Sequence, residues 1–248
     1  VVVVVFLSRD LYIYAHTFLG WQPLSKEMTI TEAEGTLVKT IDDVSAFDIY
    51  RRYLDIENDQ NFFFNVLEFP LLLKRDGKTL ARVPSYVDEN NGIQFIADIY
   101  PGEKIRIGYG DPETIIRNSK DIQKEMSDFE PNVIFLYPCV CRRYLLQTDV
   151  NLETQPYEAI APTVGFYTYG EFYGHGDKLQ FLNSTIVIVG MREGNKGQKA
   201  GARKTAVTDK AYSASSIDPY ANRHSRIMSR LLHFIRAVSS ELEQANEE

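Results

Sequence analysis

The sequence predicts an α+β fold: mostly antiparallel sheets flanked by helices, with a separate helix at the C-terminal end. Three observations carry this. Glycine turns at Glu34-Gly35, Asp76-Gly77 and Pro101-Gly102 fall between short β-branched or aromatic runs, and that spacing reads as hairpins. Hairpins outnumber β-helix-β units, which disfavours a doubly wound parallel sheet. Clear helical periodicity is confined to residues 45–55, 112–129 and 223–248. Layering as helix/sheet/sheet/helix is one arrangement that satisfies this order.

Taken in order, "VVVVVFLS" (1–8) reads as a buried strand, and "LYIYAHT" as a less regular one. "GWQPL" reads as a turn carrying the single tryptophan. "MTITEAEGTLVKTID" forms a hairpin about Glu34-Gly35, after which Ser45 caps a short amphipathic helix with Phe47, Tyr50 and Leu54 on one side. "FPLLLKRDGKTLARVPSYV" returns to β structure, and two more strands flank Pro101-Gly102. The helix at 112–129 presents Ile115, Ile116, Ile122 and Met126 on a broad apolar side. "NVIFLYPCVCRRYLL" is a buried strand entering a turn or helix, and "VGFYTYGEF" and "STIVIVGM" complete the β content.

Two late segments differ. Residues 192–216 are rich in Gly, Ala, Ser and Lys, and 192–210 hold six basic against two acidic side chains, the composition of a solvated loop. They lack the Gly-Lys-Ser/Thr ending of a phosphate-binding loop. Met228, Leu231, Ile235, Val238, Leu242 and Ala245 then follow at spacings of 3, 4, 3, 4 and 3. That is a heptad seam, expected to meet a twin in a homodimer while Arg230 and Ser240 stay wet. A chain that starts in a strand and ends in a helix is expected to be a fragment of a larger protein.

Composition narrows the function classes. The chain has 248 residues, 44% hydrophobic and 25% charged, with 27 basic against 34 acidic side chains and a net charge of -7. A nucleic-acid binder would normally carry a basic surplus. No run approaches the roughly 18 apolar residues of a membrane span. With two cysteines, Cys139 and Cys141, there is no disulfide framework, so a cytoplasmic setting is expected. The motifs of serine hydrolases, zinc proteases and dinucleotide enzymes are missing. Cys139 and Cys141 alone cannot complete a zinc site. No catalytic residue and no metal ligand is assigned, and the chain is not expected to be an enzyme.

Recognition remains. "CVCRRYLL" sets Arg142 and Arg143 just after an apolar strand, and a guanidinium fork suits a carboxylate. "YTYGEFYG" offers the complement. Gly170 and Gly174 permit close backbone approach. Tyr167, Tyr169 and Tyr173 supply hydroxyl-tipped rings, and Glu171 can accept from an amine. A pocket built from such groups would suit a small ligand. An aromatic hairpin in which Glu171 pairs with Arg142 or Arg143 as structural glue uses the same residues, and spacing does not choose between them.

These residues carry a resemblance. "GWQPLSKEMTITEAEG" with "SAFDIYRRYL" resembles the end of the N-terminal half of the FIST sensory domain, and "CVCRRYLL", "GFYTYGEFYG" and "LQFLNSTIVIVGM" resemble its C-terminal half. Cys139 and Arg142 stand in the Cys-x-x-Arg segment that marks that half. A second cysteine, Cys141, departs from the usual small residue. The resemblance implies an intracellular module that binds small molecules such as amino acids and is followed by an output domain, a histidine kinase or a diguanylate cyclase of the GGDEF type. Some members are associated with haem and nitric oxide. The expected organisation is residues 1–44 as the end of the N-terminal half, 45–191 as the C-terminal half, 192–218 as a mobile loop and 219–248 as a signalling helix. The expected ligand-binding residues are Cys139, Arg142, Arg143, Tyr167, Tyr169, Gly170, Glu171 and Tyr173. A scaffold for protein interaction without a small ligand, and a haem sensor, are the alternatives.

Overall fold

Apolar alternation and tight turns sort the strands into two compact units, Val1–Trp21 with Gly110–Thr208 and Gln22–Tyr109 with Asp209–Glu248. The structure, a computed structural model, describes Val5 and residues 9–175, 178–195 and 223–247. The strand expected at residues 1–8 and the basic loop from residue 196 onward lie outside the described residues, apart from Val5. Both units mix α and β structure with mostly antiparallel pairing, as the turn signals predict.

The chain contributes β1 (Leu11–Phe18) to the first unit and then builds the second. There it forms β2 (Trp21–Pro23), whose Trp21 still belongs to the first unit, β3 (Met28–Glu34), β4 (Leu37–Ile41), β5 (Val44–Ser45), helix α1 (Ala46–Leu54) and helix α2 (Phe62–Val66). Strands β6 (Leu71–Arg75), β7 (Lys78–Arg82), β8 (Pro84–Val87), β9 (Ile93–Phe95) and β10 (Lys104–Gly110) follow. The segment expected as a turn around Trp21 is instead the short strand β2, paired with β10, and Trp21 is buried. The indole is too large to leave wet at a turn when a core is in reach. The sheet runs β7-β6-β10-β3-β4-β9-β8. Its two end strands are consecutive in the chain, so the sheet nearly closes on itself. The β6–β7 hairpin pairs Arg75 with Lys78, leaving Asp76 (φ 49°) and Gly77 (φ 74°) as its two-residue loop. Two positive φ values in succession are what a type I′ turn requires. Ser45 caps α1 by accepting from the Asp48 amide.

The first unit resumes with α3 (Pro112–Phe129), capped by Asp111, then β11 (Val133–Pro138), α4 (Val140–Leu146) and α5 (Val150–Thr154). Strands β12 (Thr163–Gly165), β13 (Glu171–His175), β14 (Lys178–Leu182) and β15 (Ile186–Glu193) complete it. The sheet order is β1-β15-β11-β12, antiparallel except for the parallel pair β11–β12. Ile134, Leu136, Ile186 and Ile188 share one face of this sheet and bury against Ile122 and Met126 of α3 and against Tyr157. The parallel pair exists because α4 and α5 return the chain to the same end before β12 starts, as a parallel crossover demands.

Helix α6 (Arg223–Glu247) packs on α1 within the second unit. The packed stripe is Ile227, Arg230 and Phe234, not the expected heptad seam. Phe234 stacks on Tyr53 with centroids 5.3 Å apart. Glu241 closes the contact, 2.6 Å from Arg52 Nη2 and 3.3 Å from Lys26 Nζ, and accepts from the Tyr53 hydroxyl at 2.9 Å. Arg230, expected to stay wet, is buried because it lies three residues after Ile227 and four before Phe234. Burial, with Arg226 beside it, lowers its pKa to about 10, while Glu68, Asp55 and Asp59 compensate its charge. The seam itself is split: Leu231 and Val238 are half-buried, and Met228, Ile235, Leu242 and Ala245 are exposed. Among the described residues, no helix is long and apolar enough to cross a membrane.

Candidate ligand-binding site

Two neighbouring features of the first unit gather the expected site residues. One is a buried polar cluster at the start of α4. The other is an open cleft where β11 and β12 end.

Arg142 anchors the cluster. Its side chain and that of Glu153 on α5 have no solvent exposure. Arg142 Nε donates to both Glu153 oxygens at 3.0 and 3.2 Å, and Nη2 donates to Oε1 as well. Nη1 donates to the backbone oxygens of Leu19 at 2.6 Å and Ser184 at 2.9 Å. The guanidinium also sits 4.8 Å from the Phe18 ring centroid and 5.6 Å from that of Trp21. A buried charge needs this degree of pairing to persist. The fork expected for a ligand carboxylate is therefore occupied from within, and its partner is Glu153 rather than Glu171.

Glu171 opens β13 with a buried carboxyl. Oε1 accepts from the Thr168 hydroxyl, while Oε2 has no hydrogen bond of normal geometry. Burial first, and the neighbouring Cys139 second, raise its pKa to about 9. It is a neutral acid at pH 7. Cys139 is buried in extended backbone at the start of α4. A hydrogen bond from the Cys141 thiol lowers the Cys139 pKa and correspondingly raises that of Cys141. Gly170 is required by close approach, since a Cβ there would lie 2.5 Å from the Phe181 ring.

The cleft measures about 420 Å³ and is lined by Leu136 and Pro138 of β11, Thr154, Glu158, and every residue from Thr163 to Tyr167. It lies at the carboxyl ends of a parallel strand pair, where open α/β sheets commonly bind ligands. Tyr167 is half-buried on its wall, and the Arg143 guanidinium lies 5.2 Å from the Tyr167 ring centroid. The wall is tied to the cluster through backbone bonds. Thr168 N donates to Pro138 O at 2.9 Å, and Val140 N donates to Thr168 O at 2.7 Å. The cleft can hold an apolar body between Phe166, Tyr167 and Leu136, with Thr154, Thr163 and Glu158 meeting polar ends.

The eight expected residues thus divide. Cys139, Arg142 and Glu171 meet in the buried cluster, with Gly170 beside it, and Arg143 and Tyr167 meet at the cleft. Tyr169 is 85% exposed and belongs to neither. Tyr173 turns to β1 and donates to Ala15 O at 3.2 Å. Sequence reasoning missed Glu153, Thr154, Glu158 and Thr163. A buried arginine signals that some carboxylate must join it, but nothing in the spacing selects Glu153. The cleft's lining contains no His, Cys or Met, and the one side chain in it of a type that ligates haem iron is that of Tyr167. Among the described residues, no three His, Cys, Asp or Glu side chains are placed to hold a metal ion.

Comparison with curated proteins and with solved structures found no match. Family models do match: the FIST N domain over residues 1–44 and the FIST C domain over residues 46–174. The compact units cut across both spans, because the first span supplies β1 to one unit and β2–β4 to the other. With more than half of its residues covered by the second model alone, the chain belongs to the FIST family, whose members are sensory domains of signalling proteins.

Proposed function

We propose that the chain is a cytoplasmic, non-catalytic sensory module that takes a small molecule with an apolar body and an amine, such as an amino acid, in the cleft at the ends of β11 and β12. The observation that carries this is the cleft's wall. Residues 163–167 line it and run, through Thr168 and Gly170, into the buried acid Glu171. A ligand seated there touches a segment bonded to the start of α4, so it can favour one arrangement of that segment over another. A sensor needs such a differential interaction and nothing else. In the same reading, the exposed Met228, Ile235 and Leu242 of α6 meet a second copy and relay the state to an output domain, a diguanylate cyclase or histidine kinase.

A thermal-shift screen of amino acids and small amines tests the reading. At one hundred times its dissociation constant, a bound compound stabilises by about 2.7 kcal/mol. Phe166→Ala and Glu158→Gln should each remove the shift while leaving the unliganded melting temperature unchanged, since both side chains are exposed. A screen without hits, or hits indifferent to both variants, defeats the reading.

A further inference from the structure

β12 is a bare edge. It closes the sheet order at one end and pairs only with β11 among the described strands. Ile134 N donates to Pro162 O at 2.9 Å, Phe166 N to Leu136 O at 3.2 Å and Thr168 N to Pro138 O at 2.9 Å. Even-numbered residues thus turn their backbone groups inward to β11. In a parallel ladder the alternate residues turn theirs outward, which here are Thr163, Gly165 and Tyr167. Side chains alternate between faces along a strand, yet all five residues from Thr163 to Tyr167 touch the cleft. Touching both faces of β12 as well as Leu136 and Pro138 of β11, the cleft runs from the ends of the strand pair round the free edge of β12, to the place the next strand would occupy.

Exposed strand edges are ordinarily blunted by lysine, proline, a bulge or a covering element. Residues 163–167 read Thr-Val-Gly-Phe-Tyr and carry no charge. Val164 is 54% exposed and Phe166 66%. Phe166 extends an aromatic row on the outer face, 5.3 Å from Tyr137, which stacks on Phe135 at 6.4 Å. Gly165 lets β12 approach β11 closely, since a Cβ there would lie 1.8 Å from Leu136 O. The one charged side chain lining the cleft is Glu158.

We propose that the cleft's ligand is a short extended peptide that adds a fifth strand to β12, pairing with the outward backbone of Thr163, Gly165 and Tyr167. One face of its apolar or β-branched residues covers Val164 and Phe166, and a basic side chain on the other face meets Glu158. Main-chain bonds would supply the affinity and the alternate side chains the selectivity, as in other strand-addition complexes. The inference rests on the cleft being the ligand site and names the class of ligand.

The probe is an end-blocked heptapeptide of alternating valine and threonine with one central lysine, titrated into the isotopically labelled whole chain. The amides of Thr163, Gly165 and Tyr167 should shift and gain protection from hydrogen exchange. The same peptide N-methylated at alternate residues should bind at least about tenfold more weakly, because a strand that cannot donate cannot pair. Val164→Lys, at an exposed position, should weaken the parent peptide by a similar factor and leave the fold intact. Equal binding of both peptides, shifts elsewhere in the protein, or no binding overturns strand addition. If free amino acids shift the cleft residues while the peptide does not, only this inference falls. If neither does, the cleft is not the ligand site.

Discussion

Arg142 Nε lies 3.0 Å from Glu153 Oε1, and neither side chain reaches solvent. They stand eleven positions apart in the chain, and the pair joins α4 to α5. Losing one member of a buried pair strands the other charge, at a cost of about 3–5 kcal/mol. Arg142→Ala should therefore unfold the first unit at a much lower urea concentration than wild type. Arg142→Met combined with Glu153→Leu should recover much of the loss, because the stranded charge is gone. If Arg142→Ala melts like wild type, the pair does not hold this unit together.

Glu171 makes the first unit sensitive to alkali. Its folded pKa is raised to about 9 from an ordinary 4.5, so the folded chain keeps a proton that the unfolded chain releases. Stability should be unaffected by this group below the lower value and should fall as pH rises between the two. The slope is at most about 1.4 kcal/mol per pH unit. Denaturation at pH 5, 7 and 9 should show this decline in wild type and a flatter profile in Glu171→Gln. Parallel profiles would mean that Glu171 is ionised when folded.

Gly165 and Gly170 should tolerate substitution unequally. At Gly165 the obstacle is the Leu136 backbone oxygen at 1.8 Å, which cannot yield without breaking the parallel pair; at Gly170 it is the Phe181 ring at 2.5 Å. Overpacking against a side chain typically costs about 1–3 kcal/mol. Gly170→Ala should fall in that range and Gly165→Ala above it, measured by chemical denaturation. The reverse order would contradict the packing of β12 against β11.

Helix α6 should separate into two functional faces. Phe234→Ala removes a buried ring from its stack on Tyr53, a loss of about 3–5 kcal/mol by the usual cost of such a cavity. It should destabilise the second unit. Leu242→Asp changes a side chain that is 61% exposed and should leave stability unchanged while shifting the protein to monomer on sizing. A wild-type chain that stays monomeric at high concentration removes the dimer from the proposed function.

Local chemistry was legible in the sequence wherever a few adjacent residues decide the outcome. Asp76-Gly77 dictates a hairpin because two positive φ values are needed within two residues. Ser45 starts a helix because a side-chain oxygen must meet orphan amides, and the Cys-x-x-Arg and Gly-Phe-Tyr-Thr-Tyr-Gly-Glu segments mark the family. Tertiary structure decided what depends on distant partners. The sequence shows that Arg142 needs a carboxylate, yet packing chose Glu153 over Glu171 because α5, not β13, places an acid beneath α4. Glu171 became a neutral acid through burial, which no local pattern encodes. The last helix carries apolar residues on two sides, and only its docking on α1 selected Ile227 and Phe234 for the core and left Met228, Ile235 and Leu242 outside. An amphipathic period fixes which residues share a face, whereas the surface waiting opposite that face lies far away in the chain.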